Sequence, residues 1–270
     1  MSFISGEKLQ ALCDISWMTP EKKKFHSSFQ GVYKMIHDID SVDDGKILFV
    51  YGDLLDVWRK DILPRRTKPF VLVVHNSDEA IGESYKDVLD HPLLLHMFSQ
   101  NTFLYHSKLT ALPIGIANSQ WNHGNQSNMQ HMVSKSLSWE DKKNMVYTNI
   151  NLSTNYHHRL RVLEELKYPF VFHAHPKPHL EYLVELSGYK WVLSPKGNGV
   201  DCHRLWESLY AGCIPLVDDT INARQFKEMG VPVIIVKDWG KLSLEELEKE
   251  SYTYSSILEL GYWEQKFNSY

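Results

Sequence analysis

The stretch Lys190 to Val217, K-W-V-L-S-P-K-G-N-G-V-D-C-H-R-L-W-E-S-L-Y-A-G-C-I-P-L-V, decides the fold. Trp191 to Leu193 are apolar and read as a short strand. Pro195, Gly197 and Gly199 predict a tight turn whose backbone N–H groups approach a ligand. Asp201 is the expected N-cap of a helix running to Ala211, and Gly212 is its natural stop. Cys202, Leu205, Trp206 and Leu209 fall on one helical face and are expected inside, while His203, Glu207 and Tyr210 form a second stripe. The segment Ile214 to Val217 then reads as a buried strand. A strand, a glycine turn and a helix in this order suit a phosphate, because a helix N-terminus offers unpaired N–H groups and partial positive charge. Lys196, His203 and Arg204 add cations or donors at the same end. Glu207, about one turn further in, is placed to accept hydrogen bonds from a ribose diol. The alternative is a surface helix with an ordinary ion pair at Glu207.

Working outward, strands and helices alternate. Ile47 to Tyr51 and Phe70 to Val74 read as buried strands, the second feeding His75-Asn76-Ser77-Asp78. Asp53 to Lys60 and Tyr85 to Phe98 read as helices, and Thr102 to Tyr105 and Ala111 to Ile116 as short strands. Composition turns polar from Asn118 to Asn144, which marks a boundary between a domain at 1–140 and one at 141–270. The second half repeats the alternation. Met145 to Ile150, Phe170 to His173 and Val231 to Val236 are expected strands; His157 to Leu166, His179 to Leu186, Leu242 to Lys249 and Ser255 to Lys266 are expected helices. Alternation of this kind predicts an α/β protein with parallel sheets, two Rossmann-like domains facing a cleft. His75-Asn76-Ser77-Asp78 and the glycine turn both stand at carboxyl ends of strands, which is where ligands bind in such sheets.

The chain of 270 residues has a net charge of −4 and 43% hydrophobic residues. That is globular, with no basic run pointing to nucleic acid. Apolar runs are strand-sized, well short of the roughly 18 residues of a membrane helix. The first ten residues lack a signal-peptide core, and Cys13, Cys202 and Cys213 are scattered. A cytoplasmic, non-secreted protein with free thiols is expected.

The phrases S-P-K-G-N-G, R-L-W-E-S-L and G-C-I-P-L-V resemble the nucleotide-binding half of exostosin-like glycosyltransferases, most strongly over Val146 to Val217. His75 to Asp78 and Leu112 to Trp121 look like the small, xylosyltransferase-like members carried by large algal DNA viruses. The resemblance implies a GT-B fold, a UDP-sugar donor with xylose as first guess, a glycan hydroxyl as acceptor, inversion at the anomeric carbon and no metal or other cofactor. It places the donor on Ser194, Lys196, Gly197, Asn198, Gly199, Asp201, His203, Arg204 and Glu207, and its phosphates on Arg159. Two departures stand out: Lys196 replaces the family's Arg, and no membrane anchor is present in the sequence.

Other constellations compete. Thr154 or Asn155 is positioned to cap the helix that carries Arg159. His173, His175 and His179 have spacing that zinc tolerates, but lack a fourth ligand beside them; a loop touching the nucleotide base, His173 included, is the preferred reading. Asp38-Ile39-Asp40 matches the D-x-D of metal-dependent transferases, yet follows F-Q-G-V-Y-K-M-I-H, which reads as an amphipathic helix; a turn or cap is expected there. Gly197-Asn198-Gly199, with Asp218 or Asp219 about 20 residues on, approaches a dinucleotide fingerprint. An NAD-dependent oxidoreductase is therefore one rival reading, and a non-catalytic nucleotide- or sugar-binding module another. Trp58, Trp121 and Tyr156 are candidate sugar platforms or core. For the base of an inverting transfer, Asp78 is preferred over His75, because carboxylates are charged at neutral pH.

Overall fold

The computed structural model describes residues 2–18, 35–36, 43 and 45–270. The chain divides into two compact units, one formed by Ile4–Ile114 with Glu259–Tyr270, the other by Met1–Phe3 with Gly115–Leu258. The division at Ile114–Gly115 lies upstream of the 140–141 boundary read from composition. The polar stretch there instead forms structure of its own, a helix at Gln126–Lys135 started by Asn125, whose Oδ1 accepts from Ser127 N at 2.9 Å and Asn128 N at 3.3 Å.

The first unit holds a wholly parallel sheet of six strands. They are β1 (Ile15–Trp17), β2 (Met35–Ile36), β3 (Ile47–Tyr51), β4 (Phe70–His75), β5 (Leu94–Ser99) and β6 (Leu109–Ala111), in the order β2-β1-β3-β4-β5-β6. I-L-F-V-Y and F-V-L-V-V-H are buried at every position, the signature of central strands covered on both faces. Short helices α1 (Gly6–Ala11), α2 (Leu55–Asp61) and α3 (Lys86–Leu89) follow or precede them. Leu55, Trp58, Val88 and Leu89 pack with Leu48, Leu72 and Val74 in one core, so Trp58 is core and not a platform.

Two sequence readings change here. The helix expected over Tyr85 to Phe98 stops at Leu89, and Leu94–Ser99 is strand. Pro92 disfavours helical geometry at His91, and the following six residues are almost all buried. Thr102 makes only an isolated bridge to Ile81, and the strand read at Ala111 to Ile116 is shifted back to Leu109–Ala111. Within the expected helix before the D-x-D pair, Met35–Ile36 pairs as strand with Ser16 and Trp17; Asp38 and Asp40 lie outside the described residues.

The second unit holds a wholly parallel sheet of five: β7 (Lys143–Thr148), β8 (Val171–His173), β9 (Tyr189–Leu193), β10 (Ile214–Asp218) and β11 (Ile234–Val236), ordered β11-β10-β9-β7-β8. Its helices are α4 (Gln126–Lys135), α5 (Tyr156–Glu165), α6 (His179–Leu186), α7 (His203–Tyr210), α8 (Ile221–Glu228) and α9 (Leu244–Leu247). From β7 the chain moves to β8 at one edge, then crosses back beyond β7 to β9, β10 and β11. The carboxyl ends of β7 and β9 therefore flank a topological switch point, the place where open α/β sheets bind ligands. The last helix, α10 (Leu260–Asn268), belongs to the first unit, with Trp263 and Phe267 wholly buried and Phe267 4.8 Å from the Phe98 ring. Among the described residues no helix is long and apolar enough to cross a membrane.

Gly6 shows how closely α1 approaches the end of β4. A Cβ there would lie 1.9 Å from Asn76 Oδ1 and 2.7 Å from His75 Nδ1. Asn76 is held in left-handed geometry, φ 59°, with its N–H on Gln100 Oε1. Gly6→Ala is expected to destabilise the protein by about 1–3 kcal/mol, as overpacking does. An unchanged urea midpoint would mean that Asn76 moves aside freely.

Candidate functional site

The loop from Ser194 to Cys202 leaves β9 at the switch point, and long-range bonds fix it. Arg159, in the first turns of α5, is 5% exposed. Its Nε donates to Lys196 O at 3.1 Å and its Nη2 to Pro195 O at 3.3 Å. Its Nη1 donates to Asn151 O at 2.7 Å and to the Thr154 hydroxyl. One guanidinium thus ties the loop after β7 to the loop after β9. Burial lowers its pKa from the ordinary arginine value. Asn155 sits at the N-cap with φ 55° and makes no side-chain cap; its Nδ2 donates to Gly197 O at 2.9 Å instead. A Cβ at Gly197 would lie 3.0 Å from Arg159 Nη2, so a larger residue there crowds this clamp.

Asp218 fixes the same loop from the other side. Its carboxylate accepts from Lys196 N at 2.8 Å, His158 Nε2 at 2.9 Å and Trp239 Nε1 at 3.0 Å. A carboxylate already serving three protein donors is poorly placed to hold an NAD ribose, and Asp219 is held by Arg224 at 2.6 and 2.8 Å. The dinucleotide reading loses its acidic partner on this geometry.

The expected cap at Asp201 is not what the structure shows. Helix α7 begins at His203 with Cys202 at its N-cap and no side-chain cap. The Asp201 carboxylate, 4% exposed, takes Cys202 N at 2.8 Å and Trp206 Nε1 at 2.9 and 3.0 Å. The wholly buried indole needs an acceptor, and Asp201 supplies it. In the first turn of α7, Leu205 N donates to Cys202 O at 3.1 Å. Lys196 is half-buried and its ammonium makes no ion pair among the described residues, Asn198 is exposed, and Gly199 is buried. Ser194 is 2% exposed with its hydroxyl on Val192 O.

Beside this loop lies a cavity of about 570 Å³, lined among others by Asn149, Asn151, Lys177, His179, Tyr182 and Arg204. Burial would lower the Arg204 pKa, but Tyr182, Cys202 and Glu207 raise it overall. Its guanidinium carbon lies 5.8 Å from the Tyr182 ring centre, and its Nε is buried without a hydrogen-bond partner. Glu207 is 4% exposed. It accepts from Tyr182 OH at 2.9 Å and faces His179 Nε2 at 3.2 Å. Burial works against its charge, yet the His179 hydrogen bond and the charges of His179, Arg204 and His203 hold its pKa below the usual range. Glu207 therefore stands behind two lining side chains, where the sequence reading had it facing the ribose directly.

The histidines of H-A-H-P-K-P-H separate. His173, exposed, faces Leu166 O at 3.2 Å near the end of α5, and His175 is exposed. Only His179 reaches the cavity. Among the described residues no group of three or more His, Cys, Asp or Glu is arranged to hold a metal. His203 Nδ1 meets Gly115 O at 2.8 Å. His123, which sequence reasoning missed, has its ring 6.3 Å from His179 and 6.0 Å from His203. Burial first, then the charges of His203 and His179, lower its pKa, with Glu207 opposing. Its place in a short polar segment carried no sequence signal. Tyr182 was findable, since it follows His179 by three residues on one helix face.

In the first unit, the loop after β4 carries the two candidate bases. His75 is 2% exposed, with Nε2 2.9 Å from Pro113 O and Nδ1 3.1 Å from Asn76 Oδ1. Asp78 is exposed. Of the two, Asp78 is the one that solvent reaches. Trp121 and Tyr156 are also exposed, at 51% and 52%, in the second unit.

No protein-family model matches the chain, and no curated protein matches it. Among solved structures it is similar to one described as the glycotransferase of kitacinnamycin. That likeness has 10% identity and a TM-score of 0.35, and covers 97% of this chain and 90% of the other. At that score the likeness carries no argument about family or activity.

Proposed function

We propose that the chain is an inverting, metal-independent glycosyltransferase of GT-B, exostosin-like type that moves a sugar, xylose first, from a UDP-sugar to a glycan hydroxyl. The observation that carries this reading is the clamped loop Ser194–Cys202 at the switch point, beside a cavity lined by the half-buried cation Arg204. The diphosphate lies along that loop and the start of α7, where the positive end of the helix, Lys196 and Arg204 meet it. Arg159 serves the phosphates by fixing the loop. The nucleoside occupies the cavity, against His179 and Tyr182. Asp78 takes the acceptor hydroxyl's proton while that oxygen bonds to the anomeric carbon and the bond from that carbon to the diphosphate oxygen breaks, releasing UDP. The charge that grows on UDP falls to Arg204, Lys196 and the α7 end. A cytoplasmic site of action accords with Cys13, Cys202 and Cys213, which are free thiols.

Glu207 tests the nucleoside end. Glu207→Ala leaves the His179 and Tyr182 donors unpaired, so UDP affinity is expected to fall about ten- to hundred-fold, with about 1–3 kcal/mol lost from stability. Glu207→Gln, which still accepts hydrogen bonds, is expected to recover most of both. Calorimetric titration with UDP reads the affinity; full affinity in the alanine variant would remove Glu207, and the cavity wall it supports, from the site.

A further inference from the structure

The segment from Gly115 to Asn125 brings a third imidazole to the site. Helix α4 packs along α6, so the turn that precedes α4 lies beside His179 at the start of α6. The turn is fixed. Trp121 N donates to Asn118 O at 3.0 Å and Gly124 N to Trp121 O at 2.8 Å, and a Cβ on Gly124 would lie 2.0 Å from Asn118 O. It holds the His123 ring 6.3 Å from Trp121, 6.3 Å from His179 and 6.0 Å from His203. Gly115 O, at the head of the same segment, takes the His203 Nδ1 hydrogen at 2.8 Å, which ties the segment to the first turn of α7.

Four nitrogen groups, Arg204, His179, His203 and His123, thus gather around one carboxylate, Glu207. Residues 115–130 hold no acid, lysine or arginine. Lys177 is paired with Glu185 at 2.6 Å, and Asp201 is turned to Trp206. Arg204 is permanently charged and balances Glu207, so a proton on an imidazole needs a second anion beside it. His179 gives Nε2 to Glu207 while its Nδ1 is buried with no hydrogen-bond partner, so a proton added there would be an orphaned donor. His123 has no such bar. It is exposed, and among the described residues no hydrogen bond holds its ring. The diphosphate assigned to the start of α7 supplies the missing anion. We propose that His123 is a further ligand of that diphosphate, neutral without it and protonated with it, so that each nucleotide sugar bound takes up a proton. The inference rests on the nucleotide-sugar reading of the site. Partial burial first, then His203 and His179, already hold the His123 pKa below the ordinary histidine value, with Glu207 opposing. Affinity therefore rises as pH falls through the value His123 has in the complex, and levels off below its value in the free protein.

The probe is UDP-xylose, whose diphosphate is esterified at both ends and keeps its charge from about pH 8 down to about pH 5.5, unlike a terminal phosphate, which titrates near ~6. The whole protein is titrated calorimetrically over that range, and near neutrality in both PIPES and imidazole buffers, which differ in ionisation enthalpy. His123→Gln, His123→Lys and, as a control on the exposed face of α4, His131→Gln are run alongside. The parent and His131→Gln are expected to bind about tenfold tighter at the acid end, with an enthalpy that depends on the buffer. His123→Gln is expected to lose most of both effects. His123→Lys, charged throughout, is expected to bind tightly across the range without proton uptake. Parent binding that is flat in pH, or a buffer dependence undiminished in His123→Gln, overturns the proposal and leaves the transferase reading standing. No binding of UDP-xylose at any pH overturns both.

Discussion

Asp78→Asn is expected to lower sugar transfer by about 10²–10⁴-fold, the usual cost of removing a general base, while UDP affinity stays nearly intact. The two halves of that result have separate causes. Asparagine keeps the shape of the side chain and cannot take a proton. On the proposed reading the nucleotide, in turn, is held by residues of the other unit, Gly115–Leu258, whereas Asp78 belongs to the unit of Ile4–Ile114. The exposed position of Asp78 means that folding should not suffer. Steady-state rates with saturating donor, set beside calorimetry with UDP, read both quantities. Unimpaired transfer by the variant, or parallel loss of transfer and UDP binding, would sink the assignment. His75 would be an awkward replacement, since both of its ring nitrogens are engaged and it is 2% exposed.

Arg204→Ala carries the second large effect. A preorganised cation aimed at charge that grows in the transition state is worth about 10²–10³ in turnover. On the proposed reading the ground-state diphosphate has Lys196 and the positive end of α7 as well, so donor affinity is expected to fall much less than kcat. Arg204→Lys is expected to recover little of the loss, because a single ammonium lacks the planar fork of donors. Activity of the parent is expected to persist in excess EDTA. Equal losses in kcat and donor affinity on Arg204→Ala would make it a binding residue only. Activity lost in chelator and restored by Mn²⁺ would return Asp38 and Asp40 to consideration.

How much of this was legible in the sequence depends on how local the cause is. Phe70 to Val74 and Trp191 to Leu193 read correctly as strands because a central parallel strand is apolar on both faces, which needs no partner to be recognised. The helix at His179–Leu186 is legible from its period and the prolines before it. Leu94–Ser99 was misread because its leucines and methionine favour helix, and only Pro92 signals the break. At the site, the glycine loop and the cations around it were legible. Their roles were not, because those depend on partners far along the chain. Arg159 reads as a phosphate ligand until the carbonyl 36 residues on is seen to occupy it. Glu207 reads as cleft-facing until α6 supplies His179 and Tyr182. Asp201 is a plausible cap by spacing, but a buried indole one turn later claims its carboxylate.

The most direct test of the central claim is one calorimetric titration of the whole protein with UDP in EDTA, with NAD titrated in parallel and UDP-xylose hydrolysis followed on the same sample. Saturable binding of UDP, no binding of NAD and slow release of UDP from UDP-xylose without metal are the predicted results. Binding of NAD in preference to UDP, or no binding of UDP at all, would contradict the assignment of the clamped loop and its cavity to a sugar nucleotide.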